Sequence, residues 1–183
     1  MAALGLLLIL GGYLYWTWPV YPASERELDS FSELRDTLKD YDATKDYPVV
    51  DLEVFGASFE AAYLQLDGRT RNADPVGYII SGNRADGEPY ERLSVKADPL
   101  YGSVNIPFEG TAYRDAKVKE SFDDTPTGYR YVDLSLQYGK RYVISAVYKS
   151  VGMTEEEIAA RDAELMSLLY ELADRIIDET PAA

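Results

Sequence analysis

The groups in this chain best suited to chemistry are basic and phenolic, and they cluster. Arg114, Lys117, Lys119, Arg130, Lys140, Arg141 and Lys149 fall in the later half, interleaved with Tyr101, Tyr113, Tyr129, Tyr131, Tyr138, Tyr142 and Tyr148. That mixture suits recognition. A Tyr ring buries a large area at low entropy cost, and a guanidinium presents five donors in a fixed fork. The expected chemistry is contact with a protein partner through a Tyr/Arg-rich sheet face, carried by Arg130, Arg141, Lys117, Lys119, Tyr129, Tyr131 and Tyr142. The same tyrosines also suit half-buried strands with no binding role, because aromatic residues favour pleated surfaces.

Catalytic sets are harder to assemble. The chain has no His and no Cys. Ser-His and Cys-His pairs, thiolate nucleophiles, disulfides and His/Cys zinc sites are therefore excluded. Carboxylates are the plentiful reactive groups. Asp123-Asp124 and Asp86-Gly87-Glu88 fall in expected loops and offer oxygen to a cation such as Ca²⁺. Neither follows the ligand spacing of a calcium loop, and a solvated turn explains both. A glycosidase needs two carboxylates across a cleft, and among 32 acidic residues no such pair stands out. Ser94 and Lys96 lie two apart on a strand and point the same way, but no S-x-x-K sequence accompanies them. Phosphate-cradling glycine loops are absent as well. The expectation is a protein without catalysis, cofactor or metal, with a carboxylate-type hydrolase as the catalytic alternative.

Net charge bounds the partners. With 32 acidic and 18 basic residues the formal charge is -14. Such a surface repels phosphate backbones, so no nucleic acid partner is expected. It also fits a high-salt habitat, where screening shortens self-repulsion; an ordinary acidic protein is the alternative.

The positioning elements begin with an uncharged stretch. No charged side chain precedes Glu25, and residues 2–21 read AALGLLLILGGYLYWTWPVY. Twenty helical residues span about 30 Å, the hydrocarbon thickness of a bilayer. Leu6, Leu8 and Leu10 belong to the apolar core of this segment, while Tyr15, Trp16 and Trp18 form an interfacial belt at its exit. The expectation is a single-pass transmembrane anchor held in membrane lipid over 2–21, followed by one soluble domain over 24–183. A cleaved signal peptide and a buried core helix are the alternatives; the missing basic n-region argues against the first. Arg26, Arg35 and Lys39 after the segment favour a cytoplasmic domain by the positive-inside rule. The β-rich, Tyr-rich body favours the extracytoplasmic side, which is the side expected here.

Within the body, residues 24–41 read as an amphipathic helix, with Ser24 and Glu27 as a capping box and Leu28, Phe31, Leu34, Leu38 and Tyr41 as the apolar stripe. Strands are expected over 47–55, 59–66, 76–81, 90–96, 100–106 and 111–120. A hairpin then joins 128–138 to 141–149 through a two-residue turn at Gly139-Lys140. Its alternation sends Val132, Leu134 and Leu136 to the core and Tyr129, Tyr131, Asp133, Ser135 and Gln137 to the other side. A final helix over 154–178 opens with Thr154 and Glu157 as a second capping box. The fold class that follows is α+β: a mostly antiparallel sheet of six to eight strands, with an N-terminal and a long C-terminal helix on one face. An apolar N-terminus, a helix and a β-rich head also admit a pilin-like subunit of a surface filament or envelope complex as an alternative function.

Overall fold

The computed structural model describes residues 25–39, 48–66, 74–84, 89–98 and 108–179. The expected anchor over 2–21, the 100–106 strand and the Asp86-Gly87-Glu88 pair lie outside these residues.

Eight strands form one antiparallel sheet: β1 (Glu25–Leu28), β2 (Ser58–Leu66), β3 (Pro75–Asn83), β4 (Arg92–Asp98), β5 (Thr111–Tyr113), β6 (Ala116–Asp124), β7 (Tyr129–Tyr138) and β8 (Lys140–Lys149). Their spatial order is β1-β2-β3-β4-β8-β7-β6-β5. Two four-stranded meanders therefore meet along β4 and β8. Helix α1 (Phe31–Lys39) and the long helix α2 (Glu155–Glu179) complete the α+β architecture, with a 3-10 turn at Leu52–Phe55.

One face of the sheet holds the core. Alternation along β7 and β8 buries Val132, Leu134 and Leu136 beside Tyr142, Ile144 and Ala146. The register carries this face through Val95 and Ala97 of β4 and Ile80 and Tyr78 of β3 to Ala62 and Leu64 of β2. Leu165, Leu169, Leu172 and Ile176 of α2 and Leu34 and Leu38 of α1 join the same apolar cluster. Both helices are amphipathic, so covering the sheet is how each hides its stripe.

The local differences from the sequence reading each have a cause. Residues 25–28 form an edge strand on β2 rather than the first turn of a helix. The helix starts later, at a second S-x-x-E: Ser30 Oγ accepts from the Glu33 N–H at 3.2 Å, and the Glu33 carboxylate takes the Asp29 N–H at 3.0 Å. Leu28 still reaches the core, from a strand, which is why the helical stripe included it. The expected 47–55 strand gives way to irregular chain and the 3-10 turn. Asp51 caps that turn by accepting from the Glu53 N–H at 3.0 Å, and Gly56 closes it at φ 80°. The 111–120 strand is divided by a turn at Arg114-Asp115, where Arg114 takes φ 48°.

The β7–β8 turn is odd-numbered rather than two residues long, with Tyr138 opposite Lys140. Gln137 pairs with Arg141, and Gly139 stands alone at the apex with φ 65°. Directly opposed residues of an antiparallel pair face the same side. A two-residue turn would set buried Leu136 against Val143, which belongs to the other face. Burial parity thus selects the odd-numbered loop. The final helix matches its expectation, with the Glu157 carboxylate accepting from the Thr154 N–H at 2.7 Å and Thr154 Oγ1 from the Glu157 N–H at 3.2 Å.

Candidate functional site

Polar groups on the helix-covered face are consumed by the fold. Arg130 Nε donates to both oxygens of Asp162 at 3.0 Å, its second terminal nitrogen reaches the same carboxylate at 2.8 Å, and Nη1 holds Asp124 at 2.7 Å. The Tyr148 hydroxyl donates to Asp162 at 2.9 Å. Burial, reinforced by that hydrogen bond to a carboxylate, pushes the Tyr148 phenol well above its ordinary value. The cluster ties α2 to β7 and β8. Near the other end of α2, Tyr113 donates to Asp174 at 3.0 Å and Arg114 to the same group at 2.9 Å, while Tyr170 reaches Glu120 at 2.8 Å. Burial and the Glu120 contact raise the Tyr170 phenol to about 12.

Two of the seven expected contact residues belong to this side. Tyr142 is fully buried in the core, and the Arg130 side chain, 17% exposed, is chelated by Asp162 and Asp124. Neither offers a free group to a partner. The five others share the opposite face. Tyr129 and Tyr131 stand on β7, Arg141 on β8 opposite Gln137, and Lys117 and Lys119 on β6 opposite Gln137 and Ser135. The Arg141 guanidinium lies over the Phe108 ring, 5.4 Å from its centroid.

This second face carries neither helix. Three cross-strand rows organise its centre. The middle row runs Ser121, Asp133, Ser145, Ser94 and Ser81 over five strands. Small hydroxyl side chains make it a shallow floor about 20 Å long, given strands about 4.8 Å apart. Within it Asp133 accepts from Ser145, yet its Oδ1 is buried without a partner among the described residues. Burial raises this carboxyl above the ordinary Asp value, and the nearby Asp123 charge adds to the shift, opposed by the Ser145 bond. On one side runs the row Lys119, Ser135, Val143, Lys96, Ile79 and Tyr63. On the other runs Asp123, Tyr131, Val147, Arg92 and Asn83.

Beside that last row the face sinks into a hollow of about 340 Å³, lined by Asn83, Glu91, Arg92, Tyr129, Tyr131 and Val147. Val147 is buried although it lies outside the core cluster, and it floors the hollow. The residues come from four strands, β3, β4, β7 and β8, and the segment before β4. Among the described residues, Arg92 is held by Glu60 alone, at 4.0 Å. Among the described residues, the Tyr129 and Tyr131 hydroxyls, the Asn83 amide and the Glu91 carboxylate show no hydrogen bond.

Asn83, Glu91, Arg92 and Asp133 are the residues that the sequence reading missed as a group. Alternation in β4 separates Arg92, Ser94 and Lys96 from Leu93, Val95 and Ala97, so the outward side of Arg92 was legible. Its neighbours were not, because β4 pairs with β8 across both meanders.

Two of the candidate groups make ion pairs of their own. Lys96 pairs with Asp98 at 3.1 Å rather than serving Ser94, and Asp124 of the acidic pair is bound to Arg130. Among the described residues no group of three or more metal-ligating side chains gathers, and no helix is long and apolar enough to cross a membrane. No protein family, no curated protein and no solved structure matches the chain.

Proposed function

We propose that the protein is a membrane-held accessory module, anchored by residues 2–21, whose uncovered sheet face binds a protein partner without catalysis. The reading is carried by one observation: both helices pack on the same side of the sheet, and among the described residues the other side presents Lys117, Lys119, Arg141, Tyr129 and Tyr131 together. In a chain of net charge -14, cations on one face favour a partner whose surface is acidic. Tyr and Arg are the residue types that interface centres favour. An extracytoplasmic domain follows from the apolar segment and the β-rich body.

Capture of crosslinked partners from native membranes tests the docking surface. Reversing charge with Lys117→Glu, Lys119→Glu and Arg141→Glu together is expected to abolish capture while thermal unfolding stays close to wild type. Undiminished capture by the triple variant overturns the reading. Added protease on intact cells tests the side: digestion of the domain is expected, and protection contradicts it.

A further inference from the structure

The hollow at the far end of the open face has a lining whose chemistry selects a ligand. Tyr129 and Tyr131 lie two apart on β7, so their rings stand on the same side about 7 Å apart along the strand. Across from them, the register sets Val147, Arg92 and Asn83 in one row with Tyr131. Glu91 precedes that strand and lines the same space. The lining thus combines an aromatic wall, an apolar floor and five side chains that hydrogen-bond. Its charge sums to zero: Glu91 balances Arg92.

Three properties narrow the occupant. First, donors and acceptors are mixed: the guanidinium only donates, the carboxylate only accepts, and the amide and phenols do both. A ligand carrying many hydroxyls satisfies such a set, because each hydroxyl donates and accepts. Second, the balanced charge inside an acidic protein disfavours both anions and cations as ligands, since either would leave one of Glu91 and Arg92 opposed. Third, about 340 Å³ bounded by phenol rings lies within the range of small-ligand pockets, and the rings offer flat faces to the C–H side of a saturated ring. We infer that the hollow lined by Asn83, Glu91, Arg92, Tyr129, Tyr131 and Val147 binds a neutral sugar ring of an oligosaccharide.

The shallow serine row runs alongside the hollow and ends on β3, next to Asn83. A longer glycan lies across the strands along that floor, between Tyr131 and Lys119. The site is separate from the basic end of the face: Lys117, Gln137 and Arg141 form one cross-strand row there, while the hollow lies at the other end, where Asn83 lines it. Tyr129 and Tyr131 serve both readings, so changes at the basic end are what separate protein docking from sugar binding.

Titration of the full chain tests the inference, in a detergent without a sugar headgroup, by calorimetry and saturation-transfer NMR. The probes are maltotetraose and cellotetraose, with diglycine as a zwitterion and tetragalacturonate as an acidic glycan. At least one neutral tetrasaccharide is expected to bind saturably, with equal affinity at low and molar salt. Tyr131→Ala and Asn83→Ala are each expected to weaken it about tenfold or more, and Lys117→Glu with Arg141→Glu, at the far end of the face, to leave it unchanged. Tyr131→Phe, which keeps the ring, separates lost stacking from lost folding and is expected to retain most of the affinity. The inference is overturned if neither neutral tetrasaccharide binds, if binding survives both alanine substitutions, or if only diglycine or tetragalacturonate binds. Loss of sugar binding in the Lys117→Glu, Arg141→Glu variant also overturns it, by placing the sugar elsewhere. Loss of partner capture in that variant bears on the docking reading alone.

Discussion

The tyrosines divide between the two faces of the sheet, and they divide by what their hydroxyls do. On the covered face Tyr78 donates to the Pro48 carbonyl, Tyr90 to the Phe55 carbonyl and Tyr148 to Asp162. On the open face Tyr129 and Tyr131 donate to nothing among the described residues. A buried hydroxyl without a partner costs about 1–3 kcal/mol, so the fold supplies partners wherever it removes water. Where it leaves hydroxyls to water, the fold has no need of them. The ion groups divide in the same way. Arg130 is chelated beneath α2, whereas Arg92 has one distant carboxylate at 4.0 Å. One face spends its polar chemistry on architecture, and the other keeps its polar chemistry available.

That contrast predicts opposite consequences for substitutions on the two sides. The largest effect is expected at Asp162. Asp162→Ala leaves the Arg130 charge to Asp124 alone and the Tyr148 hydroxyl without its acceptor under α2, and should cost about 1–3 kcal/mol of stability in urea unfolding. Replacing Arg130 and Asp162 together with apolar residues should cost much less than the sum of the single changes, because no charge is left unpaired. Next comes the α2 cap. Thr154→Ala removes the acceptor for the Glu157 N–H and should cost about 1 kcal/mol. The Thr154 backbone and hydroxyl bonds hold the Glu157 carboxyl below its ordinary value. A depressed carboxyl stabilises the fold above its unfolded pKa and loses that contribution as pH falls through its folded pKa. Glu157→Gln should therefore flatten the acid limb of the stability curve.

Asp133 has the opposite sign. Its folded pKa is raised, so the native state binds its proton more tightly than the unfolded chain does. Its contribution is fully present below the unfolded value and is lost as pH rises through the folded one. Asp133→Asn should stabilise the protein at pH 7, and the gain should vanish as pH falls below the ordinary Asp range. A pH-independent gain would show that desolvation of the charge is not its cause. Smallest of all is Tyr131→Ala, which should shift stability by about 0.5 kcal/mol or less. A large loss there would break the contrast between the faces.

How much of this was legible depended on whether local alternation sufficed. Along β7 it did: Val132, Leu134 and Leu136 are buried and Tyr129 and Tyr131 face outward, as period two requires. The same parity puts Arg130 on the inner side. Composition marks it as a contact residue because composition counts residue types and ignores direction. Tyr142 shares that history, since it alternates with Ile144 and Ala146 of the core. The hairpin loop was legible in principle too, because inward residues on both arms require an odd loop.

Other features depend on distant pairing. Residues 25–28 are a strand only because β2, more than thirty residues on, offers its edge. In isolation their spacing blends with the stripe of α1, and two S-x-x-E sequences compete for the cap. The hollow has the same origin: Arg92 meets Tyr131 through Val147, by way of the β4–β8 junction that no neighbouring segment announces.

The division of labour between the faces is tested most directly by photo-crosslinking in native membranes. A benzophenone amino acid would replace Tyr131 or Lys119 on the open face, and Glu164 or Glu171 on the exposed side of α2. Specific adducts from the two open-face positions, and none from the two helix positions, are expected. Adducts confined to α2, with the open face silent, would contradict the assignment of recognition to the uncovered sheet.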